Sequence, residues 1–257
     1  MFSGGVGSYC AAKRVAEEHG TGNLYLLFTD TKSEDKDLYR FIKEGAAKIG
    51  GHFVRLEDGR DIWLVFKDVR LMGNSRIDPC SRILKRELAD KWMKDNFTPE
   101  NCVCYTGIDW TEEHRHHRMA KRKMDKGGWK YEAPMMARPL LSKPEMLSIL
   151  ADDGIEVPAL YKLGFPHNNC GGFCIKTGQA QFKMLYDKMP ERYHELEKKE
   201  QEVYQHIGKE CPFIRVTIDG TLNYLSMIDF RKKYLMPKCT KQIDLFDFGG
   251  CGCFLDE

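Results

Sequence analysis

The 257-residue sequence has no run of about 18 apolar residues, so no segment reads as a membrane span. It has no basic stretch followed by an apolar core at its start, so a secretory leader is not expected. Neither sign of charge dominates: 40 Lys and Arg against 38 Asp and Glu leave +2, and any grip on a polyanion must come from a local patch. Internal repeats and low-complexity linkers are missing too, which leaves one large domain or a domain with a small appendix. Cysteine, by contrast, occurs ten times. Without an export signal, in a chain long enough to bury a core unaided, these thiols point to a reducing cytoplasm. There they serve as core residues, metal ligands or reactive groups, and Cys10 and Cys102, in apolar or strand-like surroundings, read as core.

The chain opens MFSGGVGS, a glycine-rich turn ending in serine. Such turns follow a buried strand, but only Met1 and Phe2 precede this one, so the strand is missing and the start is expected to lie a few residues late. Tyr9, Ala12, Val15 and Ala16 then repeat at helical spacing up to Gly20. Residues 24–28, LYLLF, form a continuous apolar run, the mark of a strand covered on both faces. Leu38, Phe41, Ile42, Gly45, Ala46 and Ile49 make a second helical stripe, closed by Gly50 and Gly51, and residues 52–56 alternate as a strand. Ile83, Leu84, Leu88 and Trp92 mark a third helix, followed by a strand at 102–106. Alternating strands and helices predict an α/β fold, a Rossmann-like parallel sheet flanked by helices. Ligand groups in such sheets collect beyond the carboxyl ends of the strands, here residues 29–33, 56–60 and 107–115.

After about residue 140 the chain changes character. Ser142-Lys143-Pro144-Glu145 reads as a capping box opening a helix through Leu150. GFPHNNCGGFC at 164–174 reads as a loop, 179–206 as a long charged helix interrupted at Pro190, and 213–225 as a hairpin turning at Asp219-Gly220. The cysteine-rich tail is irregular. Residues 1–175 are expected to form the α/β domain, and 176–257 a smaller α+β extension.

SGGVGS has the physics of an anion site. The first amides of a helix are unpaired and its dipole is positive there, while glycines let a phosphate approach and serine adds a hydroxyl. A plain helix entry looks similar, and no Gly-Lys-Ser/Thr follows, so this is not a Walker loop. The order SGGVGS, LLFTDT, PCSRILKRE, GIDWTEEHR, then RPLLSKPEMLSIL and YKLGFPHNNCGGFC resembles the PP-loop ATP pyrophosphatase superfamily. The likeness is closest to its phosphoadenylyl-sulfate reductase branch, including phage-encoded members, and covers roughly residues 1–175.

That resemblance implies ATP with Mg²⁺, held across the strand ends. It assigns Ser3, Gly4, Gly5 and Ser8 to the phosphate loop, Asp30 and Thr31 to the segment beside the adenosine, and Lys85 and Arg115 to catalysis. Cys80, Cys170 and Cys174 match the family's cysteine positions and imply a 4Fe-4S cluster, with Cys239, Cys251 or Cys253 as a fourth ligand and zinc as the rival. Two departures stand out. Gly7 replaces the usual loop aspartate, with Asp30 the candidate substitute, and the cysteine pair is Cys-x-x-x-Cys where Cys-x-x-Cys is usual. The implied reaction is cleavage of ATP to AMP and pyrophosphate, adenylating an acceptor for sulfur transfer from a sulfur donor or thioredoxin-like partner. A sulfonucleotide reductase releasing sulfite and a non-catalytic nucleotide sensor are the alternatives.

Residues 111–130 add seven Lys and Arg, three His and three acids. Arg115, Arg118, Arg122 and Lys126 share one helical face that suits RNA or DNA contact as well as a solvated surface. The adjacent His116 and His117 point to different faces and are poor joint metal ligands.

Overall fold

Glycines 4 and 5 turn the extended start of the chain into α1 (Val6–His19), whose small residues Cys10, Ala11 and Ala12 let it pack closely. The computed structural model describes residues 1–74, 77–236 and 243–248. α1 ends at Gly20, whose amide reaches the Ala16 carbonyl with φ of 75°, a value that favours glycine. β1 (Tyr25–Asp30) is buried at every residue after the first, as the unbroken apolar run predicts. α2 (Lys36–Ile49) starts at Asp35, whose carboxylate accepts from the Asp37 amide, and buries Leu38, Phe41 and Ile42. β2 (His52–Glu57) follows, then α3 (Ile62–Val69), capped by Asp61 on the Leu64 amide.

A continuous helical run comes next. It comprises α4 (Pro79–Ser81), a wide π-type segment (Arg82–Glu87) and α5 (Leu88–Asn96). β3 (Val103–Tyr105), α6 (Glu113–Gly127), β4 (Lys130–Glu132), α7 (Lys143–Asp152) and the short α8 (Ala159–Lys162) complete the first part of the chain. α9 (Gln179–Lys188) and α10 (Pro190–Ile207) follow, broken where proline was expected to break them. β5 (Ile214–Ile218) and β6 (Thr221–Leu225) form the antiparallel hairpin, turning through Asp219 and Gly220 at positive φ, and α11 (Met227–Phe230) runs on into a second π-type segment (Arg231–Leu235).

The chain is thus mixed α/β with small parallel sheets. β1 pairs with β2 in register Tyr25↔His52 to Asp30↔Glu57, and β3 pairs with β4 from Val103↔Lys130. Met1 and Phe2 bridge the two pairs: the Phe2 amide donates to the Leu27 carbonyl at 2.7 Å and the Met1 amino group to the Tyr105 carbonyl at 2.8 Å. A segment bonded on both sides holds its neighbours two strand spacings apart, about 10 Å. Next to this two-residue stub lies an apolar slot of about 220 Å³ between β1 and β3, lined among others by Val15, Tyr25, Trp92, Phe97 and Val103.

Three apolar cores form among the described residues. One packs Phe2, Tyr9, Leu26, Phe28 and Phe41 between α1, α2 and β1. A small one gathers Met93, Cys104, Met119 and Tyr131 behind β3 and β4. The largest joins Trp63 and Phe66 of α3 to Phe173, Phe182, Phe213 and Phe230, so it runs across residue 175 and ties the C-terminal helices and hairpin to α3. α3 carries no motif, and the sequence stripe did not anticipate it. The irregular tail, residues 249–257, and Cys239 lie outside the described residues. Among the described residues no helix is long and apolar enough to cross a membrane.

Burial raises the Cys10 thiol to about 11 and also pushes the Cys102 and Cys104 thiols up, so these three stay protonated at neutral pH, as core residues should. Two tests follow from this packing. Phe2, 1% exposed, contributes through the first core, and Phe2→Ala is expected to lower the unfolding free energy by about 3–5 kcal/mol in urea titration; an unchanged midpoint contradicts its burial. Glu200 on α10 accepts from Tyr204 Oη at 2.6 Å and the Met227 amide at 2.9 Å, and its burial raises the carboxyl from 4.5 to about 7. A raised acid contributes most below pH 4.5 and loses that contribution as pH rises through about 7. The Tm of the wild type minus that of Glu200→Gln is therefore expected to shrink from pH 5 to pH 8, whereas a constant difference shows that Glu200 does not titrate there.

Candidate functional site

The opening loop lies at the mouth of a cleft of about 350 Å³ beyond the carboxyl end of β3. Gly4, buried with φ of 81°, forms the bend, and a Cβ there would stand 2.9 Å from Leu38. Gly5 is the N-cap of α1 and offers no side-chain cap, and Gly5, Gly7 and Ser8 at the start of this 14-residue helix line the cleft, with the Ser8 amide turned back to the Gly5 carbonyl at 3.0 Å. The Val6 amide donates to Tyr161 Oη of α8 at 3.2 Å, and Ser8 Oγ donates to the Gly5 carbonyl at 2.7 Å. The Ser8 hydroxyl proton is thus engaged inside the loop, and the serine is not an open donor in this state.

Gly7 and Gly107 leave no room for side chains where they meet. A Cβ on Gly7 would lie 2.7 Å from the Gly107 carbonyl oxygen, and one on Gly107 would lie 2.5 Å from the Ser8 amide nitrogen. The segment leaving β3 therefore rests backbone against backbone on the first turn of α1, and an aspartate at 7 has no room. Asp30 does not take its place at the cleft. Its carboxylate accepts from Arg55 Nη2 at 2.5 Å, Tyr39 Oη at 2.9 Å and the Lys32 amide at 2.8 Å, on the β2 side of β1.

Three basic side chains reach the cleft from separate elements. Lys85, on the π-type segment, is 4% exposed with its Nζ 3.4 Å from Glu34 Oε1. Arg115, in the first turn of α6, is ion-paired with Glu112. Lys143, the first residue of α7, stands over the Tyr161 ring at 5.3 Å from its centroid. The capping box that starts α7 is complete, with Ser142 and Glu145 bonded both ways, which fixes where Lys143 emerges. Asn168, 1% exposed, donates from Nδ2 to the Gly4 carbonyl at 2.9 Å, while its buried Oδ1 has no hydrogen-bond partner among the described residues.

Ser3, Gly5, Ser8, Lys85 and Arg115 thus come together around one cleft. Gly4 lies beneath it. Thr31 and Cys170 connect to it through buried Glu34, which accepts from Thr31 Oγ1 at 3.0 Å and from the Cys170 amide. Cys80 and Cys174 do not line the cleft, and Cys80 packs against the largest core. Among the described residues no group of three or more His, Cys, Asp and Glu side chains is placed to hold a metal ion. Cys80, Cys170 and Cys174 therefore do not by themselves fit an iron–sulfur or zinc site, and Cys239, Cys251 and Cys253 lie outside the described residues.

Sequence reasoning missed Glu34, Lys143, Tyr161, His167 and Asn168. Glu34 sits in a run of exposed acids and lysines and looks like surface. Tyr161 sits in an apolar stretch and looks like core. The asparagines of the glycine-rich loop were the one legible signal. In α6, His116 is buried and His117 is exposed against Glu113, as their adjacency requires. No family model and no curated protein matches the chain.

The glycine contact yields a direct test. Gly7→Ala is expected to lower the unfolding free energy by about 1–3 kcal/mol, because both opposing atoms are backbone and neither can step aside. Unchanged stability in urea titration would show that the first turn of α1 does not rest on Gly107.

Proposed function

We propose that this chain is an ATP-binding enzyme of the phosphoadenosine phosphosulfate reductase-like PP-loop group. It cleaves ATP to AMP and pyrophosphate and so adenylates an acceptor for sulfur transfer. The observation that carries the proposal is the cleft where the glycine-led first turn of α1 meets Lys85, Arg115 and Lys143. The motif order of the first 175 residues supports the same reading. On it, β2, β1, the stub at Met1 and Phe2, β3 and β4 are one Rossmann-like sheet, which the hydrogen bonds on both sides of the stub favour.

In the reaction an acceptor oxygen attacks the α-phosphorus, a new P–O bond forms, and the bond to the β-phosphate oxygen breaks with pyrophosphate leaving. The chain contributes position and charge. The α1 amides and Ser3 cradle the phosphates, and Lys85 and Arg115 offset the negative charge that gathers on the leaving pyrophosphate. Mg²⁺ bound to the nucleotide would supply further charge neutralisation; with Gly7 in the loop and Asp30 held by Arg55, no protein ligand for it is assigned. No step runs through a cluster, because the described cysteines do not form its ligand set.

Anaerobic incubation with ATP, Mg²⁺ and candidate acceptors, read by mass spectrometry, is expected to give AMP and pyrophosphate. Lys85→Met is expected to slow that turnover by about 10²-fold or more. Sulfite from an adenylyl sulfate in the presence of thioredoxin would replace this reading with a reductase, and ATP binding without turnover would replace it with a nucleotide sensor.

A further inference from the structure

His167 lies in the same cleft, on the loop between α8 and α9, one residue before the asparagine that holds the Gly4 carbonyl. The ring is half-buried, and neither of its nitrogens is hydrogen-bonded to another described residue. The charged and titratable groups around it come from every wall of the cleft. Lys143 is supplied by α7, Arg115 by the start of α6, Glu112 by the turn before it, Asp109 by the segment after β3, Lys85 by the π-type segment, Tyr161 by α8 and the amino group by Met1.

We infer that His167 is the proton-accepting contact of this cleft: in mildly acidic solution it is neutral while the cleft is empty and imidazolium once the phosphates of a nucleotide lie against it. The inference rests on the ATP-binding reading and names a residue and a proton that the reading does not include.

The physical reason is a change of field. In the empty cleft, burial pushes the imidazole down to about 4, and the positive charges of Lys143 and Arg115 push in the same direction. A bound triphosphate brings several negative charges to the same wall and reverses the sign of the local potential. An opposite charge at close range raises a cationic group by about one to three units. The proton comes from solvent and no bond other than N–H forms, so nucleotide binding is accompanied by net proton uptake. By linkage the extra affinity is complete below about pH 4 and is lost as pH rises through the imidazole value of the complex. In that window affinity falls by at most about tenfold per pH unit.

The test is calorimetric titration of the full chain with ATP in buffers of different ionisation enthalpy. Subtracting the same series for His167→Asn cancels the nucleotide's own ionisation. The wild type is expected to take up more protons than the variant and to lose affinity faster as pH rises. NMR titration of the imidazole Cε1 proton, with and without ATP, gives the same readout on the unaltered chain. It is expected to move the midpoint up by about one to three units. ATP binding with an unmoved imidazole overturns the inference and leaves the nucleotide reading standing. No ATP binding by the wild type overturns both.

Discussion

A carboxylate whose side chain is 1% exposed accepts hydrogen bonds from three segments far apart in the chain. Glu34 takes Thr31 Oγ1 beside the end of β1, Lys85 Nζ from the π-type segment, and the Cys170 amide from the glycine turn before α9. A buried charge is costly unless it is paired and its lone pairs are filled, and removing one partner of such a pair destabilises by about 3–5 kcal/mol. Cys170 adopts φ of 51°, a conformation that side chains rarely take, and persists there because the amide has this partner. Strand end, basic side chain and turn are therefore locked to one point. The ammonium group of Lys85 stands in the cleft because Glu34 gives it a reason to stay out of water.

The loop itself is clamped from two sides. On one side the Gly7–Gly107 contact seats the segment leaving β3 on the first turn of α1. On the other, Tyr161 and Asn168 reach back to Val6 and Gly4. Amides fixed before a ligand arrives lose little entropy when it binds, so a loop held this way suits the nucleotide reading proposed above. The glycine at position 7 then follows from the packing: the space that a loop aspartate would use is filled by a backbone carbonyl.

Much of the frame was legible in the sequence. The apolar run of β1, the stripe of α2, the capping box of α7 and the Asp219-Gly220 turn each depend on local patterning, and each stands where that pattern puts it. α3 was not legible, because IWLVF is apolar all round and shows no period to separate strand from helix. The site was legible only where it is local. Ser3, Gly5, Ser8, Lys85 and Arg115 line one cleft, but Asp30 turns to Arg55, a partner 25 residues away whose arrival depends on the β1–β2 register. Glu34, Tyr161 and Asn168 were missed for the same reason: each acquires its role from a contact more than 50 residues away in sequence, and residue type alone cannot separate them from surface or core.

Each basic group of the cleft already has company. Lys85 has Glu34, Arg115 has Glu112, and Lys143 has the face of Tyr161. An entering anion must therefore compete with partners that are in place, and the net gain per cation is smaller than its full charge suggests. A ligand with one negative charge faces one such exchange and gains little. A ligand with several adjoining phosphates meets all three cations and the α1 amides together, and its later contacts form within a complex already made, at high effective concentration. On the nucleotide reading proposed above, a cleft of partnered cations would discriminate by the number and spacing of charges, and a polyphosphate would gain more there than a lone phosphate or carboxylate.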